Sequence, residues 1–335
     1  MSGGEFDLIA EHLRPLTHGA PGAFSLLDDV AETPADARIV TKDLLIEGVH
    51  FRADDPLGVV ARKALRVNLS DLAAKGARPL GYLLGCAWPA GVEAADIAAF
   101  ASGLRADQDA FGVALWGGDT TVHRRKGAPF TISITCFGAA PETGIVRRAG
   151  AAEGDDLYVT GAIGDAFLGL RVLAGEIAVG GAHDAYLADR YRLPRPRLAV
   201  GAGLVGLATA ALDVSDGLLA DCGHLTRAAA APLDARIRLD AIPLSDAARA
   251  WVEAQDDRAA ARARLAAGGD DYEILFAAPA HARDRIAALA EATGVAITRC
   301  GAMGPCAGAH STVTLIDANG APVSVEAGGY DHFQR

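Results

Sequence analysis

Strand-like and helix-like segments alternate along the whole chain, and this alternation restricts the fold more than any other feature of the sequence. Runs of β-branched and apolar residues predict strands at 38–46, 80–87, 131–137 and 156–160. Helical spacing of apolar residues predicts helices between them at 56–75 and 94–111. The second half mixes the same element types, with helices near 164–175, 196–210, 217–230 and 281–292 and strands near 235–240, 272–278, 295–301 and 312–317. The pattern predicts an α/β or α+β chain in two halves.

The clearest helix is predicted at 56–75. Asp55 is a suitable cap, Pro56 suits the first helical position, and Gly76 suits the end. Four apolar residues recur at helical spacing and should form its buried stripe: Leu57, Val60, Ala64 and Val67. A different face carries three polar residues: Asn68, Asp71 and Lys75. That polar face is expected to meet either water or a binding site.

Polar, turn-rich sequence at 147–155 separates the two halves, and a new strand pattern begins directly after it. We place a domain boundary near residue 140, to within about ten residues, which gives segments 1–139 and 140–335.

A basic stretch around two prolines is predicted to be a solvated linker or a helix start: Arg190, Arg192, Arg195 and Arg197. The apolar stretch 200–214 is shorter than the roughly 18 residues of a membrane span and is predicted to be a buried helix.

Charge and cysteine usage exclude several classes of function. The net charge of -11 argues against nucleic acid or an anionic membrane as a partner, because both need clustered Lys and Arg. The five cysteines are scattered without Cys-x-x-Cys spacing, so neither a disulfide framework nor a zinc site is expected. The N-terminus lacks a basic region followed by an apolar run, as a signal peptide would have. These features predict a soluble protein of the cytoplasm.

Acidic residues recur at the ends of apolar segments. The set comprises Asp28, Asp29, Asp43, Asp71, Asp119, Asp213 and Asp216. Each alone is more readily explained as a cap or turn residue. If the segments converge, however, the like charges repel one another unless cations lie among them. Carboxylate oxygens without His or Cys favour Mg²⁺, which also binds phosphate oxygens and water. The set therefore predicts several Mg²⁺ ions around a polyphosphate.

Glycines beside these aspartates support a phosphate ligand. The string GGDT (117–120) follows an apolar run, and DVSDG (213–217) ends one and begins a helix. Glycine lets backbone N–H groups approach phosphate, although two ordinary tight turns are the alternative. The chain has no Gly-Lys dipeptide, hence no Walker A loop, and lacks the HRD and DFG motifs of protein kinases. His50 follows a strand pattern and either contacts substrate or has a structural role.

The order and wording of the motifs resemble thiamine-monophosphate kinase, a family in the fold group of aminoimidazole ribonucleotide synthetase and selenophosphate synthetase. The matching strings run nearly end to end: GEFDLI (4–9), DDVA (28–31), TKDLLIEGVHF (41–51), KALRVNLSDLAAKGARP (63–79), GGDT (117–120), RRAGAAEGD (147–155), YVTGAIGDAFLGL (158–170), DVSDGL (213–218), GGDDYEILF (268–276) and GYDHF (329–333). One string alone is weak evidence, but ten in order across more than 300 residues are strong.

The resemblance implies a two-domain, PurM-like architecture. Segment 1–139 would bind ATP and metal and would dimerise through its sheet with a second copy, and segment 140–335 would be an α/β domain that completes the site. Metal ligation is implied for Asp29, Thr41, Asp43, Asp71, Asp119, Asp213 and Asp216, with Lys42 at a further position of the metal set. ATP contacts are implied for Gly118, Asp119, Arg148 and Ser215, and acceptor contacts for His50, Asp270 and Ala327. The expected catalytic groups are Asp71, Asp119 and Arg148, whereas Asp28 is expected to orient its loop.

Four positions depart from the family pattern. Leu27 stands where the family has Gly before the paired aspartates. Lys42 replaces a Thr or Ser, and its ammonium group cannot ligate Mg²⁺. Asp270 replaces a Glu and is one methylene shorter, and Ala327 replaces an aromatic residue.

The implied reaction transfers the γ-phosphate of ATP to thiamine monophosphate, giving ADP and thiamine diphosphate. The acceptor phosphate has a second pKa of about 6, so no base is needed to ionise it. The barrier is repulsion between two polyanions, which Mg²⁺ ions and Arg148 would relieve. One alternative is another ATP-using enzyme of the fold group, although selenophosphate synthetase would call for an early reactive Cys, and the first here is Cys86. A non-catalytic, acidic metal- or nucleotide-binding protein is the other.

Overall fold

The computed structural model describes residues 24–25, 27–28, 31–33 and 38–325, which form two mixed sheets and nine helices. The first half contains β1 (Ala31–Thr33), β2 (Arg38–Ile46), α1 (Leu57–Ala74), β3 (Arg78–Trp88), α2 (Ala94–Phe111), β4 (Ala114–Val122) and β5 (Thr131–Ala139). The second half begins with β6 (Asp156–Thr160), α3 (Asp165–Leu173), α4 (Ala182–Arg192), α5 (Leu198–Leu204), β7 (Ala210–Asp213) and α6 (Leu218–Ala228). It ends with β8 (Leu233–Arg238), α7 (Asp246–Glu253), α8 (Arg258–Ala267), β9 (Ile274–Ala278), α9 (Arg283–Thr293), β10 (Ile297–Pro305) and β11 (Val313–Ile316). The mixed α/β class predicted from the sequence is confirmed.

The first sheet has the order β1-β2-β5-β3-β4, antiparallel except between β3 and β4. Side chains alternate strictly along β5, where Ile132, Ile134 and Cys136 are buried and the residues between them are not. Helix α1 packs on this buried face, and α2 packs beside α1. The sheet therefore has one covered face and one face on which no described element packs.

The second sheet has the order β11-β8-β10-β6-β9-β7. Strands β6, β7 and β9 are buried along their whole length, because elements cover both of their faces. Strand β7 lies at the edge of this sheet and contacts α1. The C-terminal end of β7, at Asp213, is thereby brought to the first half of the chain.

Helix α1 joins the two halves. Its apolar stripe packs on the first sheet, and its last turn contacts α5 and β7. A Cβ atom at Gly201 of α5 would lie 1.8 Å from the carbonyl oxygen of Ala73, so only glycine permits this approach. The polar face predicted for this helix avoids water, since Asn68 and Lys75 are both 0% exposed. Of the two predicted alternatives, water is excluded for Asn68 and Lys75, and contact with a binding site stays a prediction.

Several predicted elements agree with the structure, and some do not. The bounds predicted for β2, β6 and α2 match, and α1 lies within the predicted 56–75. The single buried helix predicted at 200–214 is wrong: α5 ends at Leu204, and Gly206, with φ +73°, forms a turn before β7. For the stretch of arginines, the helix start agrees with the structure, since Arg197 is the N-cap of α5. The solvated linker is wrong, because Arg190 is 3% exposed and forms ion pairs together with Arg197 to buried Glu273. The division into domains at residue 140 stays a prediction, although β5 ends at Ala139 and the next strand begins at Asp156.

Within the described residues, no helix combines the length and apolarity needed to cross a membrane.

Candidate active site

Three carboxylates from separate elements meet where α1 passes between the sheets. Thr41 and Asp43 lie on β2 on the face covered by α1, because they alternate in register with buried Ile39 and Leu45. Asp71 lies on α1, and the Thr41 hydroxyl donates a hydrogen bond to its carboxylate. Asp213 ends β7 and is 5% exposed. The fold thus brings together four residues that the sequence placed in one metal set.

Burial of these like charges raises their pKa values. Desolvation, followed by repulsion from Asp213, raises the pKa of Asp43 to about 7, although the nearby Lys42 opposes the shift. The pKa of Asp71 is raised well above its usual range by burial and then by the charges of Asp213 and Asp43. Burial also raises the pKa of Asp213, which a hydrogen bond from Ser70 and the charges of Arg148 and Lys75 partly offset. Bound positive charge would therefore stabilise the ionised form of all three groups.

The oxygen donors of this group fit a hard divalent cation. Asp43 Oδ2 is buried and has no hydrogen-bond partner among the described residues, a costly arrangement for an isolated carboxylate. The backbone N–H of Asp43 donates to Asn68 Oδ1 at 3.2 Å, which fixes the strand against α1. Carboxylate and hydroxyl oxygens are the ligands that Mg²⁺ prefers. The chemistry of the donors therefore matches the predicted metal.

The loop after β7 is folded around a carboxylate that the sequence analysis did not single out. Asp221 Oδ2 accepts hydrogen bonds from the backbone N–H groups of Ser215, Asp216 and Gly217 at 3.0, 3.0 and 3.1 Å. Asp221 is 2% exposed, and burial together with the charge of Asp216 raises its pKa well above its usual range. These N–H groups bind the Asp221 side chain, so the loop does not offer them to a phosphate as its glycine had suggested.

His224, one turn after Asp221, has a nitrogen near the carboxylates of Asp216 and Asp221, with the three ligand atoms within 4.8 Å of one another. Arg227 Nη2 lies 3.0 Å from His224 Nδ1, and a guanidinium can only donate, so Nδ1 accepts. Burial, with Arg148 and Arg227 nearby, lowers the pKa of His224 to about 3. The neutral His224 ring therefore uses the lone pair of Nδ1 to accept a hydrogen bond from Arg227. We assign no metal ion to the group of Asp216, Asp221 and His224.

Arg148 lies beside the carboxylates, on a short 3₁₀ helix at Arg148–Gly150 that contacts α6 and β7. Burial lowers the pKa of its guanidinium, while the charges of Asp28, Asp221, Asp213 and Asp216 act in the opposite direction. Its backbone N–H donates to Asp28 Oδ2 at 3.2 Å, and Asp28 Oδ1 lies 3.0 Å from Nζ of buried Lys75. Asp28 is thereby tied to α1 and to the Arg148 segment, in agreement with an orienting role.

Two of the three predicted acceptor residues, His50 and Asp270, are joined through Lys63 of α1. Lys63 Nζ donates to the main-chain oxygen of His50 at 2.8 Å and to Asp270 Oδ2 at 3.1 Å. His50 Nδ1 accepts from the N–H of Ile46 at 3.0 Å, so a neutral ring carries its proton on Nε2. The pKa of Tyr272 is raised well above its usual range by burial and by the charges of Asp270, Asp43, Asp213 and Asp216. Asp270 therefore borders the carboxylate group.

Other predicted residues lie elsewhere. Asp119 is on β4, in register with Gly85, Ser133 and Leu44 across the sheet, so it lies three strands from β2, about 14 Å at normal strand spacing. Its side chain is on the uncovered face, as is exposed Lys42. Gly118 has φ +153°, and a Cβ atom there would lie 1.8 Å from the carbonyl oxygen of Leu84. Within one chain these residues do not join the buried carboxylates. Asp29 and Ala327 lie outside the described residues.

Sequence reasoning missed three residues of this region. Asp221 occurs four residues after Gly217, at a spacing that a loop-binding carboxylate at a helix start would have. Tyr272 and Lys63 stand inside the strings GGDDYEILF and KALRVNLSDLAAKGARP, but nothing in their spacing separates them from core or surface residues. Their positions depend on contacts between the two halves.

Comparison with known proteins gives a consistent result. The family profile described as "AIR synthase related protein, N-terminal domain" matches residues 27–140. The thiamine-monophosphate kinase of Caulobacter vibrioides is 44% identical over 300 residues, which cover 89% of this chain and 83% of that protein.

Solved structures agree over nearly the whole chain. A structure described as AaThiL complexed with AMPPCP and TMP superposes with a TM-score of 0.82 at 27% identity, covering 98% of this chain and 97% of that one. The thiamine-monophosphate kinase of Stenotrophomonas maltophilia K279a gives a TM-score of 0.74 at 34% identity, covering 96% of this chain and 99% of that one. Identity above 30% across most of both chains, with the same fold, establishes that this chain belongs to the thiamine-monophosphate kinase family.

Proposed function

We propose that this chain phosphorylates thiamine monophosphate with ATP, giving ADP and thiamine diphosphate. The observation that carries the proposal is the buried group of Asp43, Asp71 and Asp213, whose raised pKa values mark a site built for bound cations. The relative with AMPPCP and TMP bound supports the identity of the two substrates. The charge on the carboxylates also argues that ATP is bound as a metal complex, since bare polyphosphate would be repelled.

The acceptor phosphate acts as the nucleophile. Its second pKa of about 6 means that it is largely ionised at neutral pH, so the site needs no general base. The protein has to hold two anions in line and relieve their repulsion. The guanidinium of Arg148 interacts electrostatically with the carboxylates of Asp213 and Asp216, which supports a role in stabilising charge on the transferred phosphoryl group.

Asp43, Asp71, Asp213 and Thr41 would hold Mg²⁺, with Asp216 next to them. Bound Mg²⁺ supplies charge neutralisation between the carboxylates and the phosphates. The residues themselves fix the geometry: β2 and α1 are joined by the Thr41–Asp71 and Asp43–Asn68 hydrogen bonds. Asp221 holds Ser215 and Asp216 in place through their backbone N–H groups. Ser215 is thus in a fixed position to contact ATP.

We further propose that the active form is a homodimer in which β4 of each chain faces the other. All nine residues of β4 are exposed, and the uncovered face and edge of the first sheet carry five large apolar residues that are each at least 40% exposed: Leu44, Leu83, Leu115, Trp116 and Val122. An exposed apolar sheet face and edge of this kind favour association with a second copy. We propose that Gly118 and Asp119 of the partner subunit complete the site of the first chain. The five cysteines are all free, which supports a reducing compartment such as the cytoplasm.

Subunit complementation tests the shared site. Asp43→Asn and Asp119→Asn are each expected to be inactive, since each removes one side of every site. A heterodimer of the two, purified through two different tags, has one site with both defects and one intact site. It should show about half the wild-type activity per dimer. A heterodimer as inactive as its parents would refute the contribution of Asp119 across the interface, and a monomer in sedimentation experiments would refute the dimer.

The activity itself is tested by incubating purified protein with Mg²⁺, ATP and thiamine monophosphate and separating the products by chromatography. We expect thiamine diphosphate and ADP in equal amounts, and no diphosphate from thiamine as the acceptor. ATP turnover without thiamine diphosphate would indicate another enzyme of the fold group. No turnover with any phosphorylated acceptor would support a binding protein instead.

A further inference from the structure

Lys63 lies at the centre of the contacts that join the two predicted acceptor residues. It belongs to α1 in the first half, and its side chain is 3% exposed. Its ammonium group donates to the main-chain oxygen of His50 and to Asp270 Oδ2 at 2.8 and 3.1 Å. It also lies 3.7 Å from the ring centroid of Tyr191. An ammonium has three N–H donors, and these contacts engage all three directions.

This complete set of contacts distinguishes Lys63 from a phosphate ligand. A lysine that binds a substrate phosphate keeps at least one N–H direction open to the ligand. Here the group is buried and its directions are used by the protein. The function of Lys63 is therefore exerted through the groups that it holds.

The two residues that Lys63 binds, His50 and Asp270, are both predicted to contact the acceptor. His50 is in the turn after β2, and the Tyr191 hydroxyl also donates to its main-chain oxygen, at 3.3 Å. Asp270 comes from a loop of the second half, where it adopts a left-handed backbone conformation with φ +71° and donates its N–H to Ser215 O at 2.8 Å. A non-glycine residue in this conformation is held there by its surroundings. The ion pair with Lys63 spans 207 positions of sequence and connects the two halves.

The carboxylate of Asp270 is held at one oxygen only. Among the described residues, the Asp270 side chain forms a hydrogen bond with Lys63 only, through Oδ2. The side chain is 32% exposed. Oδ1 accepts no hydrogen bond from the described residues and stays available to a ligand. Since Asp270 is shorter than the Glu of the family pattern, its reach depends on where this ion pair holds it.

We propose that Lys63 is a positioning residue for the phosphate acceptor: by binding Asp270 Oδ2 and His50 O together, it sets the position of both acceptor contacts. This inference rests on the proposed function and assigns a role to a residue that does not itself touch substrate. It predicts that removal of the ammonium affects acceptor binding far more than nucleotide binding.

The test compares Lys63→Met with Arg62→Met in steady-state kinetics, each substrate varied in turn. Methionine keeps the length of the side chain and removes the charge. We expect the KM for thiamine monophosphate to rise at least about tenfold in Lys63→Met, with less than about a twofold change in the KM for ATP. Arg62 is on the same helix, 31% exposed on its side chain, and pairs with Asp107, which Arg66 also binds. Its replacement should leave both constants unchanged.

A double-mutant cycle separates positioning from general loss of stability. If Lys63 acts through Asp270, Lys63→Met should raise the acceptor KM much less in an Asp270→Asn background than in wild type. If Lys63→Met does not fold, Tyr191→Phe provides the second variant, because it removes only the hydroxyl that also holds His50 O. It should raise the acceptor KM about twofold to threefold and leave the KM for ATP unchanged.

If the wild type is active and Lys63→Met changes the melting temperature but not the KM for thiamine monophosphate, the positioning role of Lys63 alone is overturned. A wild type that neither binds thiamine monophosphate in calorimetry nor phosphorylates it would overturn the proposed function, and the role of Lys63 with it.

Discussion

At the scale of single residues, the proposed site depends mainly on three carboxylates: Asp43, Asp71 and Asp213. Asp213 is buried, Asp43 and Asp71 are partly buried, and the charge of Asp213 raises the pKa of both of the others. A structural carboxylate in a protein interior is usually paired with hydrogen-bond donors or cations. Asp43 Oδ2 has no hydrogen-bond partner among the described residues. The cost of this arrangement is explained if a cation occupies the space between the carboxylates during function.

The raised pKa of Asp43 gives a pH prediction for protein kept in EDTA. Its folded-state pKa is about 7, against an ordinary value of 3.8. The folded protein then binds this proton more tightly than the unfolded chain, so the free energy of unfolding falls as pH rises between about 4 and 7. Asp43→Asn removes this loss. Its melting temperature relative to wild type should therefore rise by at least about 2 °C between pH 5 and pH 8.

The matched control for this measurement is Asp246→Asn, at a carboxylate whose side chain is 93% exposed. Its difference from wild type should be the same at both pH values in thermal melts. A constant difference for Asp43→Asn as well would mean that Asp43 titrates alike in the folded and unfolded states, and the buried-charge account would fail.

The metal-set aspartates could be selected from sequence, whereas their partners could not. Asp43, Asp71 and Asp213 end apolar segments or occupy the polar face of a predicted helix, and these patterns are visible in the sequence. Lys63 looks in sequence like a helical lysine directed to solvent. Its burial depends on Tyr191 and Asp270, more than a hundred residues away, and no local pattern encodes such contacts.

At the scale of elements, the start of α6 shows how a loop is made rigid. Three consecutive backbone N–H groups, from Ser215 to Gly217, donate to one oxygen of Asp221. The loop also accepts a hydrogen bond from the N–H of Asp270, at Ser215 O. The predicted ATP contact is therefore linked to the predicted acceptor contact through backbone bonds.

Replacement of Asp221 by alanine should loosen this loop. Three N–H groups lose their acceptor, at a cost of about 1 kcal/mol or more each if they stay buried. We expect a lower melting temperature and a KM for ATP raised at least about tenfold, measured by steady-state kinetics. Asp221→Asn retains an accepting oxygen and should stay within about threefold of wild type. An alanine variant with an unchanged KM for ATP would show that the loop does not position the nucleotide.

The sequence predicted long periodic elements better than short or alanine-rich ones. Helix α2 was predicted with its observed bounds, because apolar spacing and a terminal glycine mark it. Helices α7 and α8 were not predicted; they are short, at eight and ten residues, so each gives few repeats of the helical spacing. Strand β4 was missed because all nine of its residues are exposed, which removes the buried-face pattern that identifies a strand.

At the scale of the whole molecule, the site exists only when the two halves are in contact. Asp43 and Asp71 come from the first half and Asp213 from the second, with α1 packed against both. The prediction of two halves came from element order, but the identity of their contact surfaces did not. The fold could be predicted through resemblance across the chain, whereas the separation of Asp119 from Asp43 required the register of the sheet.

Ligand binding should stabilise the whole molecule because its donors are assembled only in the folded state. Mg²⁺ with ATP at about 100 times the dissociation constant would add about 2.7 kcal/mol to the free energy of unfolding. The expected result is a higher melting temperature with Mg²⁺ and ATP, which EDTA reverses. A melting temperature that ignores both would indicate that the aspartates are separate structural residues.

Transfer of label from [γ-³²P]ATP to thiamine monophosphate, measured in wild type and in Asp71→Asn, tests whether the carboxylate group supports phosphoryl transfer. With Mg²⁺, wild type should place the label in thiamine diphosphate in step with ADP formation, and EDTA should abolish the transfer. Asp71→Asn should fold normally and transfer label at least about 100-fold more slowly, because charge stabilisation at the buried carboxylates is lost. Label released as inorganic phosphate, or equal transfer by Asp71→Asn, would contradict the account.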